Sequence, residues 1–557
     1  MNDATESNSI SIGRTPFILS SGKQPAGIRD TRPIDTDYGV LDRKTFQAIE
    51  ADALFDEINQ AETQIGQSIL YRSLARPTHN VQLLQKKQEA LRELAANPEL
   101  FAALDSFIKK MMSEEESLYY LLYGEFAGGL TTDNPKNKTG KLEFGGYGYH
   151  QFIDGTEFAV SLVEETDSLP PVQSTYLQEM IQAIRDFGNS RIYALMHGPI
   201  YVIDGKFKTK EEKPPYLPVP RFRPSVFKWL PTLIFLAIVS GLLYFFQNML
   251  VELGANYIGY GMLILAIPII PIIMQAVSSS DRDSVIYPLQ RLFRQSPDLA
   301  KAMEALGMID ELLSLHRYAQ SINGERVLPE IIEAGQHTLT VIDAKNPLLA
   351  RMQPDYIPND IQLDAANRLL IITGPNSGGK TAYCKTVVQI QLLAQTGSYI
   401  PATAGRLVPA EHIFYQVPEP GRLEEGMGRF AHELKQTREI FFNSTALSLV
   451  VLDELAEGTT FEEKMTLSEY VLKGFHKLGA TTILVTHNHE LCERLQSEGI
   501  GSYLQVEFLP EGPTHRLISG ISRESHADRV ASAIGFSKED VEKHLAALED
   551  SAVSEKD

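Results

Sequence analysis

The sequence predicts a chain in two parts: an all-α region interrupted by a pair of long apolar runs, then an α/β domain built around a phosphate-binding loop. Three observations carry this. Leu369 to Thr386 reads LLIITGPNSGGKTAYCKT, an apolar β-branched run, a glycine-rich loop and a helical pattern in succession. From Thr45 to about Met112 apolar residues recur at helical spacing, as at Ile65, Ile69 and Leu70, then Val81, Leu84, Leu91 and Leu94. Leu230–Phe246 and Leu253–Val277 carry no charge over 17 and 25 residues.

At 557 residues the chain has room for several domains, and its 43% apolar content supports real cores. A formal net charge of −20 makes the whole-molecule field repel polyanions, so contact with nucleic acid or anionic lipid would need a local basic patch. Only Cys384 and Cys492 occur, without metal-ligand spacing, which suits free thiols in a reducing compartment. No basic start followed by an apolar core opens the chain, so no cleaved secretion signal is expected.

Residues 1–40, rich in Ser, Thr, Asp and Pro, read as a polar tail. A helical region is expected over 41–220, with Pro77 and Pro98 punctuating its helices and a Gly/Asn/Lys stretch at Gly128–Gly148 separating two pieces. Lys206, Lys208, Lys210, Lys213, Arg221, Arg223 and Lys228 then gather before the apolar runs. Residues 221–280 are expected to hold a membrane hairpin, spanning at 230–246 and 253–277, because about 20 apolar residues cross a bilayer as a helix. Basic residues on both sides, Arg282, Arg291 and Arg294 after it, would put both flanks and the α/β domain in the cytoplasm, making a multi-pass protein of the inner membrane in contact with lipid. The alternative is a hairpin buried in a large soluble core or oligomer. A returning helical region is expected over 281–345, the α/β domain over 346–536, and a C-terminal helix and tail over 537–557. That last helix opens with Ser537 and Asp540, close to a capping box.

In the loop, G-x-x-x-x-G-K-T places Gly374, Pro375, Asn376, Ser377, Gly378 and Gly379 where backbone N–H groups turn inward to a polyphosphate. Lys380 is expected on the β- and γ-phosphates and Thr381 on Mg²⁺. Leu449–Leu452 reads as a second buried strand ending in Asp453, a candidate for the Mg²⁺ shell, and Glu454, a candidate to orient or deprotonate an attacking water. A third, Thr482–Val485, ends in Thr486 and His487, an imidazole at the end of a strand where open α/β sheets bind ligands. Phosphate loop, acidic pair and histidine in this order point to a P-loop ATPase of the ABC type, with ATP and Mg²⁺ at a site completed by a second subunit. Lys380, Glu454 and His487 are the candidate catalytic groups.

GPNSGGKT, the GSYIPA segment (Gly397–Ala402), LDELAEGTT (Leu452–Thr460) and VTHNHEL (Val485–Leu491) together resemble the ATPase domain of the MutS mismatch-repair family. The resemblance extends to YIPNDIQL, where Tyr356 falls at the family's adenine-stacking aromatic, and to TQIGQSILYRSLARP (Thr63–Pro77), similar to the start of the MutS core from which lever helices depart. It implies an ATPase that closes as a dimer of heads, and by analogy DNA as a partner. Three features depart from the family. Its Ser-Thr-Phe signature, which reaches the partner's ATP, reads GMGRFAHEL here, with Gly428 and Arg429 at the hydroxyl positions, so Arg429 becomes the candidate trans contact. Ahead of the core no mismatch-reading domain is expected, so mismatch recognition through the family's usual wedge is not expected either. The apolar hairpin falls where the family carries levers and DNA clamp. The function expected is therefore a membrane-anchored MutS-like ATPase with DNA as an open partner; the alternative is a nucleotide-gated membrane scaffold without mismatch recognition.

Overall fold

The computed structural model describes residues 40–123, 149–215, 237–238, 240–241, 244, 282–353, 355–375, 378–418, 429–455, 459–509, 512–522 and 535–545. The helices in chain order are α1 (Arg43–Ala48), α2 (Ala51–Ile58), α3 (Gln64–Ala75), α4 (Val81–Ala96), α5 (Pro98–Tyr123), α6 (Tyr149–Glu164), α7 (Thr175–Gly188) and α8 (Arg191–His197). A hairpin of β1 (Tyr201–Ile203) and β2 (Lys206–Lys208) follows, then α9 (Tyr287–Arg294) and α10 (Pro297–Ser321). The remaining elements are β3 (Glu330–Ile331), β4 (Leu339–Ala344), α11 (Leu349–Met352), β5 (Asn359–Leu363), β6 (Leu369–Thr373), α12 (Lys380–Thr396), β7 (Ala404–Leu407) and β8 (His412–Gln416). After them come α13 (Arg429–Asn443), β9 (Ser448–Asp453), α14 (Phe461–Leu478), β10 (Thr481–Val485), α15 (His489–Ser497), β11 (Ser502–Leu509) and β12 (Gly512–Ser519).

The described residues fall into two compact units. The helical unit takes 59–72 and the described part of 89–316. Its organising feature is the N-terminus of α3. The first amides of a helix have no partner within it, and here carboxylates from two other helices supply them. Asp310 of α10 accepts from the Thr63 N–H and hydroxyl, both at 2.7 Å, and Glu115 of α5 accepts from the Gln64 and Ile65 N–H groups at 2.7 and 2.9 Å. Both carboxylates are buried, and the Tyr119 hydroxyl also donates to Glu115. Burial pushes the Glu115 carboxyl up to about 7, against the hydrogen bonds it accepts, with the Asp310 charge adding to the rise. Gly66 and Gly307 allow this close approach: a Cβ on Gly66 would lie 2.7 Å from the Asp310 Cγ, and one on Gly307 2.7 Å from the Ile69 Cδ1.

The second unit takes 40–58, 73–88 and the described residues from 317 onward. Its main sheet has six strands in the order β12-β11-β6-β10-β9-β8, parallel throughout except for β12. A smaller sheet runs β3-β7-β4-β5. β6 and β10 are buried at every residue, as the uninterrupted runs LLIIT and TTILV require of strands covered on both faces. β11 lies one place in from the edge, paired with β6, and β12 takes the edge. At the C-terminus the Ser537 N–H donates to Asp540 at 2.9 Å and the Asp540 N–H to the Ser537 hydroxyl at 3.1 Å, the reciprocal cap expected.

The membrane expectation is corrected. Among the described residues no helix is long and apolar enough to cross a membrane, which overturns the assignment as a two-helix, multi-pass membrane protein in contact with lipid. Apart from residues 237, 238, 240, 241 and 244, the runs Leu230–Phe246 and Leu253–Val277 lie outside the described residues. A charge-free run establishes that a segment avoids charge. It does not by itself establish a continuous spanning helix, because any buried surface selects the same residues.

Candidate nucleotide site

Strand register brings the three motifs together. Ile372 of β6 pairs with Val485 of β10, and Val485 pairs with Asp453 of β9, so three adjacent strands end at one level. The phosphate loop, the acidic pair and the Thr486-His487 turn therefore leave the sheet side by side, at the C-terminal ends where open α/β sheets form ligand clefts.

The loop is shaped by close approach. Gly374 has φ 127° and Gly379 φ 88°, conformations that a side chain resists. A Cβ on Gly378 would lie 2.6 Å from the Val506 Cγ2 of β11. Asn376 and Ser377 lie outside the described residues; Gly374, Pro375, Gly378 and Gly379 are in place. Lys380 opens α12 and is buried, its ammonium donating to the Gly374 and Pro375 carbonyls at 2.6 and 2.8 Å. Burial lowers its pKa, against the pull of Asp453 and Glu454. The Thr381 hydroxyl donates to Asp453 at 3.1 Å. Burial raises the Asp453 carboxyl, with Thr381, Lys380 and Lys385 drawing it back down.

Next in the chain after Asp453, the Glu454 N–H donates to the Val485 carbonyl at 3.0 Å, and Glu454 adopts φ 65°. That left-handed turn carries its carboxylate to 3.3 Å from His487 Nε2.

Tyr356 is half-buried beside α12. Burial raises its phenol, against hydrogen bonds with the Thr386 side chain and the Asn346 backbone. Asn346 in turn donates to Thr386 and Gln389 of the same helix, both at 3.0 Å. Arg429 is the first residue of α13, and Gly428 lies outside the described residues. One neighbour escaped the sequence reading. His515 of β12, at φ 60°, places its Nδ1 3.4 Å from where a Gly379 Cβ would stand. Asn359, three residues after Tyr356, donates to the His515 carbonyl at 3.0 Å and accepts from the Leu517 N–H at 2.7 Å. No motif spacing announces His515, because only hairpin pairing brings β12 back to the loop.

The donor set suits a nucleotide with a hard cation: a loop that excludes side chains, a buried ammonium, and a hydroxyl and a carboxylate in contact. Fold and site together define a P-loop ATPase-type domain. Residues 370–549 match the family model of MutS domain V, an α/β P-loop ATPase domain. The chain is 33% identical over 248 residues to Endonuclease MutS2 of Pelotomaculum thermopropionicum, a match covering 44% of this chain and 31% of that protein. It is 36% identical over 199 residues to DNA mismatch repair protein MutS of Desulforamulus reducens (35% and 22%), and 32% identical over 278 residues to Endonuclease MutS2 of Thermomicrobium roseum (47% and 34%). The chain thus covers about a third or less of the length of these relatives.

Proposed function

We propose that the protein is a MutS-type ATPase that binds ATP with Mg²⁺ and hydrolyses it. The observation that carries this is the pair of contacts made by adjacent residues at the end of β9, Thr381 to Asp453 and Glu454 to His487, beside strands that end in register. In this reading the loop from Gly374 to Gly379, with Asn376 and Ser377, and Lys380 bind the phosphates, while Thr381 and Asp453 hold Mg²⁺. Glu454 orients or deprotonates the attacking water, and His487, sharing its carboxylate, senses the γ-phosphate. Tyr356, beside α12, and His515, near Gly379, are the groups for the nucleobase. The active form is a homodimer of ATPase heads in which Arg429 at the start of α13 reaches the partner's phosphates.

Glu454→Gln tests the chemistry. Turnover should fall by about 10²–10⁴-fold with ATP binding retained; unchanged turnover would refute the assignment. The names of the relatives extend the reading to DNA, whereas a net charge of −20 disfavours phosphate contact over the bulk surface. Affinity for mismatched against paired duplex across a salt series separates the two. Equal affinity with a steep salt slope means backbone contact only, and no binding leaves the nucleotide-gated scaffold.

A further inference from the structure

Residues 40–58 form a strap along the open edge of the six-stranded sheet. The Ile413 N–H of β8 donates to the Val40 carbonyl at 2.7 Å, Leu41 bridges Ile413 in parallel, and the Tyr415 N–H donates to the buried Thr45 hydroxyl at 2.9 Å. Within the strap Phe46, Ile49, Ala51 and Leu54 are buried. Covering an edge strand removes a pairing hazard. The turn between α1 and α2 does more than that.

At this turn Glu50 adopts φ 56°, a left-handed conformation that is costly for a residue with a side chain. The turn aims two groups at successive turns of α12. The Ile49 carbonyl accepts from Gln389 Nε2 at 2.8 Å, and the Glu50 carboxylate meets Lys385 Nζ at 2.8 Å. Lys385 stands four residues after Thr381 on the same helix face, and the Thr381 hydroxyl is bonded to Asp453.

We propose that Glu50 is a positioning residue of the nucleotide site: it neutralises Lys385 and thereby leaves the Asp453 charge to the cation that Asp453 and Thr381 hold. This rests on the reading of the site as one for Mg²⁺ and ATP. An ammonium left uncompensated one helical turn from Thr381 competes with a divalent cation for the same carboxylate.

The test is the Mg²⁺ dependence of binding of a fluorescent ADP analogue, followed by anisotropy on the full chain. Glu50→Asn removes the charge, and Asn tolerates the left-handed backbone, so the variant keeps its fold. It should raise the Mg²⁺ concentration for half-maximal binding by about two- to fivefold, the range expected of a partly exposed ion pair, and leave binding in EDTA unchanged. Adding Lys385→Gln should return the Mg²⁺ requirement to the wild-type value. A purely structural strap predicts the opposite pattern: thermal stability moves and Mg²⁺ dependence does not. That result, or a double variant no better than Glu50→Asn, overturns the role of Glu50 alone. A wild-type protein that binds no nucleotide at any Mg²⁺ concentration overturns the site reading with it.

Discussion

Gly378→Ala tests the architecture of the phosphate loop with one methyl group. The added Cβ would stand 2.6 and 2.9 Å from the two γ-carbons of Val506. Carbon atoms rest at about 3.5–4.0 Å, so an overlap of nearly 1 Å must be relieved. Val506 is buried, β-branched and paired with Leu517 of β12, so its side chain has little freedom to swing aside. The loop must yield instead, at a cost of about 1–3 kcal/mol for an overpacked site. If that displacement falls on the amides facing the phosphates, nucleotide affinity drops by about 5- to 150-fold. Equilibrium binding of a fluorescent nucleotide, with thermal unfolding alongside, reads both. Val506→Ala in the Gly378→Ala background removes both offending carbons and should recover most of the affinity, although it leaves a small cavity and a lower melting temperature. Wild-type affinity in Gly378→Ala, or no recovery in the double variant, would refute the close approach of loop and strand.

Two further predictions concern the helical unit. Gly66→Ala drives a methyl group into the Asp310 carboxylate that holds the start of α3, and should lower the stability of that unit by on the order of 2–4 kcal/mol, measured by urea unfolding, with nucleotide binding as the control. Glu115 has its carboxyl raised from 4.5 to about 7, so between those values the folded unit keeps a proton that the unfolded chain gives up. Stability should therefore fall as pH rises through that window, by on the order of 3 kcal/mol. Glu115→Gln should flatten the dependence between about pH 5 and about pH 8; an unaltered slope would assign it to another group.

The candidate site was legible where chemistry sits in contiguous sequence. The phosphate loop, Asp453-Glu454 and His487 each follow an apolar run, and an apolar run of that length between turn residues is how a buried parallel strand looks. His515 was not legible, because β12 pairs antiparallel and the register of a hairpin follows from its turn and its neighbours. Glu50 was hidden for a related reason. Its helical spacing matched that of the following helices, and only packing sends residues 40–58 to the sheet edge and residues 59–72 to the other unit. The apolar runs misled in the opposite direction, since hydrophobicity alone does not fix the environment that buries it.

By itself the sequence determined the motifs of the proposed nucleotide site: glycines where the backbone is approached closely, a lysine and a threonine at the start of a helix, carboxylates and an imidazole at strand ends. Local covalent order is enough for that, since each motif spans only a few residues. Tertiary structure alone decided which distant groups share the site. The in-register ends of β6, β10 and β9, the Val506 wall behind Gly378, and the strained turn that presents Glu50 to Lys385 all depend on pairings across tens or hundreds of residues. Such pairings are fixed by the burial of whole faces, which no short stretch of sequence records.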